Sequence, residues 1–149
     1  MLTHRTGNIF TSDQPAIGHG VNCKGVMGSG IAVTVKKLFP EVYEVYRDYC
    51  REVGLHGGDM LPVLSNGGRV ILNLASQEKT GANAHYDFLE ASVRNAFSYC
   101  QQNGISGFAL PRIGAGIGGL DWDRVLEILA ACSEEYPAID LEVWTYDGS

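Results

Sequence analysis

The chain has no apolar run long enough to span a membrane, no cluster of lysine and arginine, no closely spaced cysteine pair and no internal repeat. Each absence removes a class of function. A bilayer needs about 20 consecutive apolar residues, and the opening Met1-Leu-Thr-His-Arg-Thr6 lacks the core of a signal peptide, so a cytoplasmic protein with no membrane partner is expected. Lys and Arg number 11 against 17 Asp and Glu, a net charge of −6, which leaves no electrostatic footprint for a long polyanion. Cys23, Cys50, Cys100 and Cys132 are scattered, without C-x-x-C or a His/Cys spacing suited to zinc, and no metal site is expected. Cys50, Cys100 and Cys132 fall in helical patterns as buried thiols. Only Cys23, inside a glycine loop, is placed to face a ligand.

What is present is a core and an excess of glycine. Apolar residues make up 45% of 149 and charged residues 19%, an ordinary globular balance, and residues 1–149 are expected to form one domain. The 19 glycines cluster. Gly20-Val-Asn-Cys-Lys-Gly-Val-Met-Gly-Ser-Gly-Ile-Ala32 follows an apolar run, Ala16 to Val21, and precedes an apolar-periodic one from Ile31, so it reads as strand, glycine loop, helix. Loop amides and a helix N-terminus converging on one spot favour an anion, and a phosphate is the natural guest. A tight structural turn is the alternative at this point.

In order, residues 2 to 10 read as a first strand ending in Gly7-Asn-Ile-Phe10, and Ala16 to Val21 as a buried one. A helix from about Gly30 to Phe39 carries Ile31, Val35 and Leu38 on one face. Pro40 opens a second helix with Val42, Val45, Tyr46 and Tyr49 as its stripe and Tyr43 outside it. Strands follow at Met60 to Leu64 and Arg69 to Ser76, joined by Asn66-Gly67-Gly68. Gln77 to Ala84 is a long polar loop of the kind that carries function. A helix from His85 to Gln102 is capped by Gly104, and a strand from Ile105 to Ile113 feeds a second glycine loop, Gly114-Ala-Gly-Ile-Gly-Gly119. Asp121 caps the last helix, where Trp122 reads as an anchor; Trp144 and Tyr146, in a final strand from Leu141, read as sheet residues. This alternation predicts one α/β domain with a mostly parallel or mixed sheet. Ligands in such sheets sit beyond the strands' carboxyl ends, where three of these loops begin.

Gly114, Gly116 and Gly119 match the dinucleotide pattern G-x-G-x-x-G, with Asp140 about twenty residues on. A dinucleotide fold, however, places that turn in its first βαβ unit, and here one helix and one strand remain. In the first loop Val33 stands where a third glycine belongs. An NAD-binding oxidoreductase is the least favoured reading.

The order Gly7-Asn-Ile-Phe10, His19-Gly-Val-Asn-Cys-Lys-Gly-Val-Met-Gly-Ser-Gly-Ile-Ala32, Asn73-Leu-Ala-Ser76 and Pro111-Arg-Ile-Gly-Ala-Gly-Ile-Gly-Gly-Leu-Asp-Trp122 resembles a macrodomain across nearly the whole chain. It is most similar to the branch holding the ADP-ribose-1''-phosphate phosphatases and the terminal ADP-ribose protein glycohydrolase. The resemblance implies a three-layer α/β/α fold with a mixed central sheet, ADP-ribose as ligand and no cofactor. Partners would be ADP-ribose derivatives, extending to an ADP-ribosylated macromolecule. By the same resemblance Asn8 reads the adenine amino group, with Ile9 contributing backbone. Asn22, Lys24, Gly25, Met27, Gly28, Ser29 and Gly30 wrap the distal ribose and a phosphate. Ser76 flanks them, and Gly114, Ala115, Gly116, Ile117 and Gly118 offer amides to the diphosphate.

For chemistry, His19 has two readings, a hydrogen-bonded sheet histidine or an acid/base group near the distal ribose. Asn22, at the start of a glycine loop, suits contact with ribose hydroxyls. The glycohydrolase uses a lysine nucleophile where this chain has Ser76 or Gln77, with Lys79 further along, and an aspartate where it has Gly118. A lysyl covalent mechanism therefore lacks both its groups. Catalysis by positioning, with His19 or Asp123 assisting water, is the expectation, either phosphate release or hydrolysis of an ADP-ribosyl ester. A non-catalytic ADP-ribose-binding module is the alternative.

Overall fold

The computed structural model describes all residues, Met1–Ser149. Six strands, β1 (Leu2–Thr6), β2 (Ala16–Gly20), β3 (Met60–Leu64), β4 (Val70–Leu74), β5 (Gly107–Leu110) and β6 (Asp140–Thr145), form one sheet in the order β1-β6-β5-β2-β4-β3. Every neighbouring pair is parallel except β3 with β4. β3 carries Pro62, which cannot donate to a ladder, and it lies at an edge, where that loss is tolerated.

Four helices cover the two faces: α1 (Ile31–Leu38), α2 (Pro40–Glu52), α3 (Tyr86–Gln102) and α4 (Trp122–Glu135). Side-chain alternation along the strands sorts the core into two layers. One packs Leu72, Leu74, Leu110 and Leu141 against α3 and α4 through Leu89, Phe97, Val125 and Leu129. The other packs Ile17, Ile71 and Ala109 against α1 and α2 through Val35, Val42 and Tyr46. This is the mixed α/β sheet that the alternation predicts, in the three-layer α/β/α arrangement that the resemblance implies.

Local chemistry sets the boundaries. Phe39 leaves the helical region (φ −131°, ψ 65°) because Pro40 disfavours helical backbone before it, which divides α1 from α2. Gly104, at φ +67°, ends α3. Three local expectations are corrected. The first strand stops at Thr6, and Ile9–Thr11 form a 3-10 turn because the Asn8 side chain accepts from the Phe10 N–H. Leu38 and Val45 lie half exposed, since α1 and α2 bury narrower faces than their periodicity suggests. Tyr43 packs against the core layer after all.

Five parallel strands end at one edge of the sheet. The segments that follow them are Gly7–Phe10, the first glycine loop, the Ser76 loop, Pro111–Gly119 and Tyr146.

Candidate functional site

These segments enclose two adjoining cavities. The larger, about 480 Å³, is lined by the first glycine loop, by Ser76, Gln77, Thr80 and Gly81, and by Pro111 to Gly118 apart from Ala115. The smaller, about 390 Å³, lies between Asn8, Ile9, Phe10, Thr34, Trp144 and Tyr146. Gly30, Ile31 and Pro111 line both, so the two form one cleft.

The larger cavity is built from backbone. The amides of Gly28, Ser29 and Gly30, and those of Gly116, Ile117 and Gly118, make no hydrogen bond within the protein. No side chain caps α1, and its first turn carries no acid, so its own unsatisfied N–H groups and dipole add to the same positive field. Gly30 at φ +62° and Gly114 at φ +77° hold turns that other residues adopt only under strain. Arg112 is the one cation in the lining. Its Nε donates to Thr145 Oγ1 at 3.3 Å, and its guanidinium lies 5.3 Å from the centre of the Trp122 ring. What the cleft offers an anion is therefore chiefly amides.

The smaller cavity is aromatic. Trp144 is fixed by its indole N–H, which donates at 3.0 Å to Glu142, and Ser12 donates to the same carboxylate oxygen at 2.6 Å. Burial works against the Glu142 charge, but hydrogen bonds from Ser12, Trp144 and Gln14 and the nearby Arg5 outweigh it and hold the carboxyl below its ordinary range.

The two loops flanking the larger cavity are tied together. Cys23 N–H donates to Glu78 O at 3.1 Å, and Ala84 N–H donates to Gly118 O at 3.2 Å, so the 77–84 loop bridges both glycine loops. Gln77 Nε2 donates to Lys79 O and Gly81 O, which folds that loop inward and brings Thr80 to the cleft wall.

Asn22 lines the cleft while organising its own loop. Its Nδ2 donates to Val26 O at 2.9 Å, its Oδ1 accepts from Lys24 N–H at 2.9 Å, and the Tyr46 hydroxyl lies 2.7 Å from its carbonyl and 2.9 Å from Oδ1. Burial first, with Cys50 adding, drives the Tyr46 phenol far above its ordinary pKa, so it stays a neutral donor.

Of the other site residues read from sequence, Gly28, Ser29, Gly30, Ser76, Gly114, Gly116, Ile117 and Gly118 meet in the larger cavity, and Asn8 and Ile9 in the smaller. Gly25 and Met27 are buried on the far side of the loop, a Cβ at Gly25 facing Cys50 and Arg47 of α2. Lys24, Ala115 and Asp123 lie outside the lining, Asp123 exposed in the first turn of α4. His19 is wholly buried beneath the loop, also outside the lining. Its Nε2 pairs with Asn73 Oδ1 at 2.8 Å, as the β2–β4 register dictates, and its Nδ1 has no partner. Burial pulls its pKa down to about 4 despite the Asn73 bond, so the ring is neutral. Cys23 gives its thiol to Gln77 O, and burial pushes it up to about 11, which leaves no thiolate to react.

Sequence reading missed Arg112, Thr80, Phe10, Trp144 and Tyr146. Phe10 and Tyr146 approach one another only because β1 pairs with β6 from opposite ends of the chain. Arg112 sat inside a quoted motif and carried the only charge there before Asp121; that charge was the available signal.

A family model described as the Macro domain matches residues 19–129. The solved macrodomain of Mycobacterium tuberculosis DarG superposes with a TM-score of 0.91 at 28% identity, covering 97% of each chain. The DNA ADP-ribosyl glycohydrolase of Mycobacterium tuberculosis is 28% identical over 151 residues, 99% of this chain and 43% of that protein, so the chain spans less than half of that relative. The ADP-ribose glycohydrolase OARD1 of Bos taurus is 30% identical over 146 residues, 97% of this chain and 90% of the relative.

Proposed function

Because the chain belongs to the Macro domain family, we propose that it binds ADP-ribose and hydrolyses a small ADP-ribose derivative. The observation that carries this is the continuity of the cleft: an aromatic chamber at one end opens, past Gly30, Ile31 and Pro111, into a cradle of unpaired amides. A base stacks in the first, a diphosphate takes the amides, and the distal ribose reaches Asn22, Ser76 and Thr80. Relatives named as glycohydrolases and as an ADP-ribose 1''-phosphate phosphatase support hydrolysis at that end.

The lining holds no Asp, Glu, Lys or His. The chemistry we assign is therefore positioning and electrostatics: water attacks the distal anomeric carbon or the terminal phosphorus, and amides fixed in place stabilise the charge on the departing oxygen. Asn22 acts on the distal ribose, while His19, whose side chain bonds only to Asn73 outside the lining, is assigned no step. Asp123 is the carboxylate to test as an assisting base. An ADP-ribosylated macromolecule would be held through its ADP-ribose, since a net charge of −6 gives a polyanion no track. No helix is long and apolar enough to cross a membrane. Four free cysteines support our placing the chain in the cytoplasm.

Calorimetric titration with ADP-ribose, AMP and NAD tests binding, and release of phosphate from ADP-ribose-1''-phosphate or of acid from an ADP-ribosyl ester tests catalysis. ADP-ribose should bind most tightly, and Arg112→Ala should weaken it about tenfold, the loss of one charge-assisted contact. No heat with ADP-ribose would sink the reading. Binding without turnover of any substrate would leave a reader module.

A further inference from the structure

The Asn22 amide is held in one orientation, and one of its holders stands outside the cleft. Nδ2 donates to Val26 O at 2.9 Å, and Oδ1 accepts from Lys24 N–H at 2.9 Å. These bonds set which way round the amide lies, because the reversed amide would face donor to donor at Lys24 and acceptor to acceptor at Val26. The second lone pair of Oδ1 faces the Tyr46 hydroxyl at 2.9 Å, and the same hydroxyl reaches Asn22 O at 2.7 Å. Oδ1 is therefore fully engaged. What the amide keeps for the cavity it lines is one N–H of Nδ2, so Asn22 meets a ligand as a donor only.

Lys24 and Val26 belong to the same loop as Asn22 and move with it. Tyr46 does not. It stands on α2, is wholly buried in the core layer with Ile17, Val35 and Val42, and lines neither cavity. Of the three partners of the Asn22 side chain it is the one that refers the amide to the packed body of the fold. We propose that Tyr46 is a positioning residue for the distal ribose: its hydroxyl touches no ligand but aims the free N–H of Asn22 at an oxygen of that sugar. The inference rests on the ADP-ribose reading above and concerns only the distal end of the cleft. Phenylalanine fills the same space without the hydroxyl, which frees the amide to turn while the glycine turns keep the loop amides on the diphosphate.

ADP carries the base and the diphosphate but no distal ribose, so the ratio of its dissociation constant to that of ADP-ribose isolates this end. Calorimetry gives that ratio for the wild type, Tyr46→Phe, Asn22→Ala and the double variant, each shown by melting to be folded. Tyr46→Phe should cut the ratio about fivefold with ADP affinity held within about twofold, the loss of one hydrogen bond. Asn22→Ala should cut it at least as far, and adding Tyr46→Phe to it should change nothing more, since both act through one contact. A Tyr46→Phe protein that weakens ADP and ADP-ribose alike, or leaves the ratio unchanged, or loses as much again in the Asn22→Ala background, overturns the inference while ADP-ribose binding stands. Should Tyr46→Phe not fold, the wild type decides by NMR of the Asn22 side-chain amide: one of its protons should shift with ADP-ribose and not with ADP, and the same response to both ligands overturns the inference. Failure of ADP-ribose itself to bind overturns this inference and the reading beneath it.

Discussion

His19 shows what a single buried residue costs and when. In the fold its ring is neutral, with a pKa of about 4, while the unfolded chain takes up a proton near 6.5. The unfolded state therefore binds more protons between those values, so stability is full above 6.5 and falls as the pH drops toward 4. The size of the loss is about 3 kcal/mol by linkage. Glu142, held below its ordinary range, has the same sign in a lower window, losing its contribution as the pH falls through its folded pKa. Thermal melts from pH 7 to pH 4 should show the decline. His19→Gln, which has no titrating ring, should flatten its upper part; an unchanged slope in that variant would assign the pH dependence elsewhere. The residue's two sequence readings diverge here: the Asn73 bond and complete burial support the sheet histidine.

Among the elements, the second glycine loop is closely packed at Gly118. A Cβ at Gly118 would lie 2.8 Å from the Gly114 carbonyl oxygen and 2.9 Å from Ala84 Cβ. Backbone cannot yield there without moving the amides of Gly116 to Gly118. The glycohydrolase resemblance puts an aspartate at this position, so Gly118→Asp is the direct attempt to restore acid/base chemistry. Instead it should lower ADP-ribose affinity about tenfold and destabilise the chain by about 1–3 kcal/mol, the usual range for overpacking. Calorimetry and melting would read both, and a gain of hydrolysis without loss of affinity would contradict the packing. The missing carboxylate is thus matched to the loop's own geometry, and the interlock with Ala84 explains why the 77–84 segment is ordered across the cleft.

At the scale of the whole molecule, a ligand that spans both cavities ties together segments following five strands, and its binding energy becomes folding stability. ADP-ribose at 100 times its dissociation constant should add about 2.7 kcal/mol, a rise in melting temperature of roughly 5–10 °C for a domain of this size. AMP, reaching only the chamber and the start of the cradle, should give less; equal shifts would mean the distal cavity is not engaged. The sequence by itself determined the alternation of strands and helices, the two glycine loops and their anionic taste, because apolar period and glycine's freedom are local properties of the chain. It also determined that Pro40 and Gly104 would punctuate helices. Which side chains would meet in the cleft beyond those loops was decided by strand order. β6 lies between β1 and β5, which carries Trp144 and Tyr146 to Asn8 and Phe10, and β4 lies beside β2, which sets His19 against Asn73 and the 77–84 loop against Cys23. Pairing across such separations depends on how two buried faces pack, and no stretch of sequence contains both partners.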